Sequence, residues 1–304
     1  MFDELIEQWG GRRAFVAALG NQHMHGRVPI PAARSMITWD GIADVLLWQR
    51  LAPPLMRVVH TAGRTINPAN YLDRDSTPRR TDNPVVNIGK LGAILDAGST
   101  LVIDSIDEML PNIGATALEL SDLVGEWVQA HLYATKGATP AFAPHWDVID
   151  VLVVQVEGEK HWDVYGPGNI HPIDATIDPD NTCPPDPIWS GVLQPGDVLY
   201  MPRGCFHGVR GTGGTSIHLS YGFQRRTGLA YLGWLTGFAR HTAAFREDIP
   251  RTGELEDTAR HAKILTEALA QLVREHPLPE FLAAHAQKVP PPPNPGLETR
   301  DDRS

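Results

Sequence analysis

One stretch constrains the fold of this chain more than any other: Ala143-Pro-His-Trp-Asp-Val-Ile-Asp-Val-Leu-Val-Val-Gln-Val-Glu-Gly-Glu-Lys160. Its apolar run predicts a β-strand that opens on His145-Trp-Asp147. Side chains at i and i+2 of a strand leave the same face, about 7 Å apart. His145 and Asp147 can therefore chelate one ion, and a third ligand has to come from a later strand ending nearby. The segment Leu193-Gln-Pro-Gly-Asp-Val-Leu-Tyr-Met-Pro-Arg-Gly-Cys-Phe-His207 has the right form. Pro195-Gly196 signals a type II turn, Asp197–Met201 a strand, and Pro202-Arg-Gly204 a bend before His207. Read alone, His207 is equally a surface-loop histidine.

A second His-x-Asp, His161-Trp-Asp163, follows the Glu157-Gly158 turn. Parity separates the two pairs. Lys160, Trp162 and Val164 share one face of the predicted strand; His161, Asp163 and Tyr165 share the other. If Lys160 points into a pocket, His161 and Asp163 point away, onto a solvated outer face.

Two imidazoles and a carboxylate are the ligand set of mononuclear non-haem Fe(II) oxygenases. Three protein ligands leave room in an octahedron for a bidentate 2-oxoacid and O₂. The oxoacid's far carboxylate then needs a buried cation and hydroxyl donors. Lys160 can supply the charge, with Tyr133 and Ser216 as donors. Taken singly, these are also a snorkelling surface lysine, a core tyrosine and a strand-edge serine.

The 304 residues suffice for one large domain or somewhat more. Two cysteines, Cys183 and Cys205, provide neither a disulfide framework nor a thiolate metal cluster, as expected of a cytoplasmic protein. The acidic N-terminus lacks the basic start and apolar run of a signal peptide. No apolar stretch approaches the roughly 20 residues that span a bilayer. A net charge of −10 argues against direct nucleic-acid binding and favours a small molecule or a basic polypeptide.

In chain order, residues 2–9 predict a short helix ended by Gly10-Gly11, and His23 and His25 fall in a solvated loop. Residues 39–51 predict a helix stopped by Pro53-Pro54, and 55–60 a strand. Residues 67–84 read as a long polar loop. Residues 90–96 and 118–124 are helical, and 99–104 is a strand. Residues 127–135 form a strand with Trp127, Gln129, His131, Tyr133 and Thr135 on one face. Strands continue to about Phe223. Helical periods follow in Leu229, Leu232, Leu235 and Phe238, and in Leu255, Leu265, Leu269 and Leu272. The tail from Val289 is polyproline-like.

The run Gly-Asp-x-x-x-x-Pro-x-Gly-x-x-His over residues 196–207 resembles the second motif of cupins, whose jelly roll holds metal at one mouth. Over residues 91–224 the chain resembles the JmjC oxygenases, in their ribosomal-oxygenase branch. The matching text is Tyr133-Ala-Thr135, Pro144-His-x-Asp147, Glu157-Gly-x-Lys160, Trp162, Leu193-x-Pro-Gly-Asp, Pro202-Arg-Gly-x-x-His207 and Ser216-x-His-Leu. The resemblance implies a double-stranded β-helix, Fe(II) on His145, Asp147 and His207, and 2-oxoglutarate anchored by Lys160 with Tyr133, Ser216 and Thr135 assisting. His131 stands beside the cofactor where the family usually has asparagine. A catalytic domain over 1–226 and a helical dimerisation region over 227–304 are implied; in a departure from the ribosomal enzymes, the sequence is expected to be too short to hold the winged-helix domain that follows dimerisation in them. The implied activity is hydroxylation of a protein side chain, with O₂ and 2-oxoglutarate as cosubstrates. Hydroxylation of a free amino acid or a peptide or carrier-bound precursor is the enzymatic alternative, and a non-catalytic cupin-like binding protein the other.

Overall fold

In a computed structural model of the chain, residues 2–74, 84–168, 171–173, 182–250 and 255–286 are described. The described strands are β1 Met24–Arg27, β2 Met56–Val59, β3 Leu72–Arg74, β4 Pro84–Val86, β5 Thr100–Ile103, β6 Val128–Lys136, β7 Asp150–Glu157, β8 Lys160–Pro167, β9 Trp189–Leu193, β10 Asp197–Met201, β11 Cys205–Gly211 and β12 Thr215–Phe223. The helices are α1 Asp3–Gln8, α2 Arg12–Ala18, α3 Ile30–Arg34, α4 Trp39–Trp48, α5 Ile88–Asp96, α6 Pro111–Val124, α7 Gly228–Ala239, α8 Leu255–Glu275 and α9 Leu278–Ala286. None is long and apolar enough to cross a membrane among the described residues.

The chain forms two compact units, Met1–Gln224 and Arg225–Ser304. In the first, seven strands run in the order β1-β10-β7-β12-β6-β5-β2 and a smaller sheet in the order β11-β8-β9. Every pairing is antiparallel. This is the jelly roll that the motifs imply.

The central strand β7 shows why the sequence does not alternate apolar with polar there. Val151 and Val153 pack with Trp162, Val164, Leu193, Leu199 and Met201. Leu152, Val154 and Val156 face the opposite way, into a larger core with Phe15, Leu46, Leu95 and Leu120 from the helices. Both faces of β7 are covered, so both are apolar. The strand β6 keeps its alternation: Val128, Ala130, Leu132 and Ala134 enter the larger core, and His131, Tyr133 and Thr135 line a cavity.

Several local expectations need correction. His145 and Asp147 precede β7 in irregular chain instead of opening it. Burial of the β7 core residues outweighs the simple i, i+2 reading, and the strand starts only where its ladder can pair. His25 belongs to β1, an edge strand on β10, not to a solvated loop. Part of the polar loop 67–84 is a two-stranded ribbon, β3 with β4. The helix expected at 118–124 begins at Pro111, a residue whose fixed φ suits a first helical turn. The polyproline stretch lies outside the described residues.

The second unit holds α7, α8 and α9. Its interior is aromatic: Phe238 stacks on His276 at 3.7 Å between ring centroids, and Phe281 lies 5.6 Å from both Tyr231 and Trp234. The sequence periods did not separate α9 from α8. Pro277 stands between them, where its missing N–H ends one helix and starts the next.

Candidate metal and cosubstrate site

His207 lies on β11. His145 reaches it through a two-residue antiparallel bridge in which each backbone N–H donates to the other's carbonyl. Asp147 is tethered to the same place, since its carbonyl accepts from Gly204 N at 2.8 Å. Just beyond, the buried Asp150 carboxylate accepts from Tyr200 Oη at 2.8 Å and from Arg203 N at 2.9 Å. Irregular chain between Pro144 and Asp150 is thereby fixed at three points.

The ligand atoms of His145, Asp147 and His207 all lie within 4.8 Å of one another. His145 Nδ1 is 2.9 Å from Ala143 O, and His207 Nδ1 is 3.1 Å from Cys205 O. A carbonyl only accepts, so both Nδ1 atoms carry the proton and both Nε2 lone pairs are free. That is how metal-ligating imidazoles are usually oriented. His207 Nε2 lies 3.7 Å from Asp147 Oδ2. Burial holds the His207 imidazole below its usual pKa, against the upward pull of Asp147, which keeps it neutral. Two imidazoles and one carboxylate fit a divalent iron centre with open positions.

These three side chains line a cavity of about 370 Å³. Its wall also contains Lys160, Tyr133, Thr135 and His131. Thr135 shares a hydrogen bond of 2.9 Å with Thr100. Burial lowers the Lys160 ammonium to about 7 and raises the Tyr133 hydroxyl, with the Asp147 charge adding to the latter. Trp162 lines the same cavity and its indole N–H has no partner among the described residues. A buried cation and an unanswered donor make this an acceptor-seeking space.

Ser216 does not line the cavity. Its hydroxyl accepts from Gln155 Nε2 at 2.8 Å, and the same amide donates to the carbonyls of Glu157 and Gly158. The serine therefore clamps the hairpin turn that leads into Lys160.

Parity separates the two His-x-Asp pairs as expected, but the outer face is not simply solvated. Asp163 accepts from Ser190 Oγ at 2.7 Å and Arg210 Nη1 at 2.5 Å, with only 8% of the residue exposed. His161 lies against the same arginine.

Arg57, Asp104 and His218 are cavity residues that the sequence reading missed. Arg57 on β2 is ion-paired with Asp104, which also accepts from His131 Nδ1 at 3.0 Å. Burial would raise the Asp104 carboxyl, but His131 and Arg57 together hold it below its usual value. The third is His218 on β12, 3.1 Å from Lys160 Nζ. Pairing of β2 with β5 and β5 with β6 brings Arg57, Asp104 and His131 together, a sheet order that no local pattern encodes.

The JmjC domain family matches residues 112–231. A bifunctional lysine-specific demethylase and histidyl-hydroxylase NO66 of Brugia malayi is 30% identical over 179 residues, 53% of this chain and 25% of that protein. Ribosomal oxygenase 1 of Rattus norvegicus is 30% identical over 201 residues, 62% of this chain and 33% of that one. The chain thus spans a quarter to a third of these two relatives. The Escherichia coli ribosomal oxygenase YcfD superposes with a TM-score of 0.56 at 15% identity, covering 88% of this chain and 66% of that one. A further YcfD structure, in complex with cobalt and 2-oxoglutarate, gives a TM-score of 0.55. Over residues 112–231 the chain thus matches the JmjC domain, on a jelly roll like that of YcfD, and it is similar to proteins named ribosomal oxygenases.

Proposed function

We propose that this protein is an Fe(II)- and 2-oxoglutarate-dependent oxygenase that hydroxylates a side chain of a protein substrate. One observation carries the reading. Lys160 is a buried ammonium in the same cavity as the His145, Asp147 and His207 cluster, and among the described residues its only hydrogen-bond partner is the imidazole of His218. A buried charge without a counter-ion is costly. An incoming carboxylate would remove that cost.

Bound iron would supply the oxygen chemistry. His145 Nε2, His207 Nε2 and an Asp147 oxygen would hold it. Lys160 would take the far carboxylate of 2-oxoglutarate, with Tyr133 and Thr135 in the wall around it. Ser216 would act at one remove, through Gln155 and the turn before Lys160. Ile149, Val151, Met201 and Val209 give the cavity an apolar side.

The relatives' names support a protein substrate, since one is a histidyl-hydroxylase and demethylase and others are ribosomal oxygenases. The net charge of −10 favours a basic polypeptide. The catalytic domain is assigned to residues 1–226 and a dimerisation region to 227–304. We place the working protein in the cytoplasm as a homodimer, without direct nucleic-acid contact. Two free cysteines fit that compartment, and exposed leucines on α7 fit the dimer.

The test is 2-oxoglutarate turnover to succinate by the iron-loaded protein, together with intact-mass comparison of cellular proteins from deletion and parent strains. Succinate formation and a substrate lacking about 16 Da in the deletion strain are expected, one added oxygen per turnover. Absence of iron-dependent succinate formation would overturn the oxygenase reading.

A further inference from the structure

We propose that His218 is a positioning residue for 2-oxoglutarate, its Nδ1 accepting a hydrogen bond from the Lys160 ammonium and fixing that ammonium in the cavity wall. The inference rests on the reading of the cavity as a 2-oxoacid site.

The geometry involves four residues on three strands, β6 and β12 of the larger sheet and β8 of the smaller. Lys160 Nζ lies 3.1 Å from His218 Nδ1. The His218 ring stacks on Tyr133, with centroids 4.8 Å apart and planes 8° from parallel. The edge of the Trp162 indole meets the same imidazole at 5.5 Å and 73°. Sheet register enforces the stack, because His218 on β12 lies directly opposite Tyr133 on β6. Trp162 and Lys160 share the inward face of β8. His218 is 4% exposed, and its ring is held by the Tyr133 face and the Trp162 edge.

The residue type explains the arrangement. A lysine has a flexible four-carbon stem and a point charge with three donors. One N–H given to His218 fixes the head and leaves two donors for an incoming carboxylate. A carboxylate at position 218 would hold the lysine equally well, but would cancel the charge the cosubstrate needs. A neutral imidazole holds it without cancelling it. Burial, reinforced by the neighbouring ammonium, keeps the His218 pKa far below its usual value, so the ring stays an acceptor with its proton on Nε2.

The experiment is calorimetric titration of 2-oxoglutarate into the full-length protein loaded with Mn(II). His218→Phe keeps a ring against Tyr133 and removes the acceptor; it should weaken binding about tenfold or more, the loss of one hydrogen bond to a charged group. His218→Gln restores an acceptor and should recover most of the affinity. His218→Asp should bind worst despite holding the lysine. In a Lys160→Ala background, His218→Phe should cause no further loss, because the imidazole acts through the ammonium. Wild-type-like affinity of His218→Phe, or an equal loss with and without Lys160, overturns the proposal. If the phenylalanine variant does not fold, His218→Ala is read against the same criteria. Failure of the wild-type protein to bind 2-oxoglutarate would instead reject the cosubstrate reading itself.

Discussion

His145 and His207 hold one another by their backbones: His145 N donates to His207 O over 3.0 Å, and His207 N donates to His145 O over 2.8 Å. This is the closed hydrogen-bonded pair of an antiparallel ladder, yet only His207 belongs to a strand. The two rings consequently sit with centroids 4.5 Å apart. Ligand convergence is a property of this bridge, and Asp147 follows through its tether to Gly204. A strand beginning at His145 would give the same side-chain face but would not fix the distance to His207.

Loss of any of the three side chains should empty the metal site. His145→Ala, Asp147→Ala and His207→Ala should each abolish stoichiometric Mn(II) or Fe(II) binding by calorimetry. His161→Ala and Asp163→Ala should leave it intact, since those residues engage Ser190 and Arg210 on the far face of β8. Equal metal loss from both sets would refute the assignment of the ligands.

Removing the Lys160 ammonium should cost 2-oxoglutarate far more than it costs the metal. Stripping one partner from a buried charge pair costs about 3–5 kcal/mol. Lys160→Ala should therefore weaken 2-oxoglutarate by two or more decades at nearly unchanged Mn(II) affinity. Lys160→Arg keeps the charge on a wider, planar head and should retain part of the affinity. Unaltered 2-oxoglutarate binding in Lys160→Ala would reject the assignment.

Affinity should also depend on pH in a defined direction. Burial lowers the free Lys160 to about 7, and a bound carboxylate raises it again. Above pH 7 the empty site has lost its proton and must regain it on binding. Affinity should therefore fall as pH rises above about 7, by up to tenfold per unit. Stability of the ligand-free fold should follow the opposite trend. An unfolded lysine titrates near ~10.4, so between about 7 and 10.4 the unfolded chain holds more protons and stability rises with pH. Titration in buffers of differing ionisation enthalpy should reveal proton uptake at pH 8. Pre-formed charge in Lys160→Arg should flatten the profile.

Much of this site was legible in the sequence because it depends on local spacing. His145, Asp147 and His207 were readable from two short segments, and Lys160 from strand parity plus the JmjC resemblance. What escaped, Arg57 and Asp104 and their pairing with His131, depends on sheet order. Arg57, Asp104 and His131 are brought together by the neighbouring pairs β2–β5 and β5–β6, across more than 70 residues. Ser216 shows the opposite failure. Its position in the matching Ser-x-His-Leu text suggested a cavity donor, but the register shift between Ile217 and His218 accompanies a hydroxyl spent on Gln155 and an imidazole in the wall.

The turn before Lys160 should tolerate no side chain. Gly158 has φ +62, and a Cβ there would lie 1.8 Å from the Thr215 carbonyl oxygen. Gly158→Ala must both strain the backbone and push β12 away, at a cost of at least about 1–3 kcal/mol. Each kcal/mol lowers the midpoint of a domain this size by about 2–4 °C. Calorimetric melting should show that drop, and 2-oxoglutarate affinity should decline with it because Lys160 moves. A melting temperature equal to wild type would show that the turn rearranges freely.

The second unit should assemble two copies of the chain. On α7, Leu235 is 2% exposed, whereas Leu229 and Leu232 are 61% and 52% exposed. On α8 and α9, Leu272 and Phe281 are buried while Leu269, Leu278 and Leu282 remain more than 40% exposed. Each helix thus spends one apolar face on its own aromatic interior and keeps another outside. Exposed apolar surface of that kind usually marks an interface, and a two-fold dimer is the commonest way to close it. The full chain should sediment at about twice 33.3 kDa at micromolar concentration. Leu229→Asp combined with Leu232→Asp places charge on the outer face without touching Leu235, so it should give a folded monomer with wild-type Mn(II) affinity. Sedimentation of the unaltered chain at 33.3 kDa would remove the dimer and leave these leucines to be covered by some other partner.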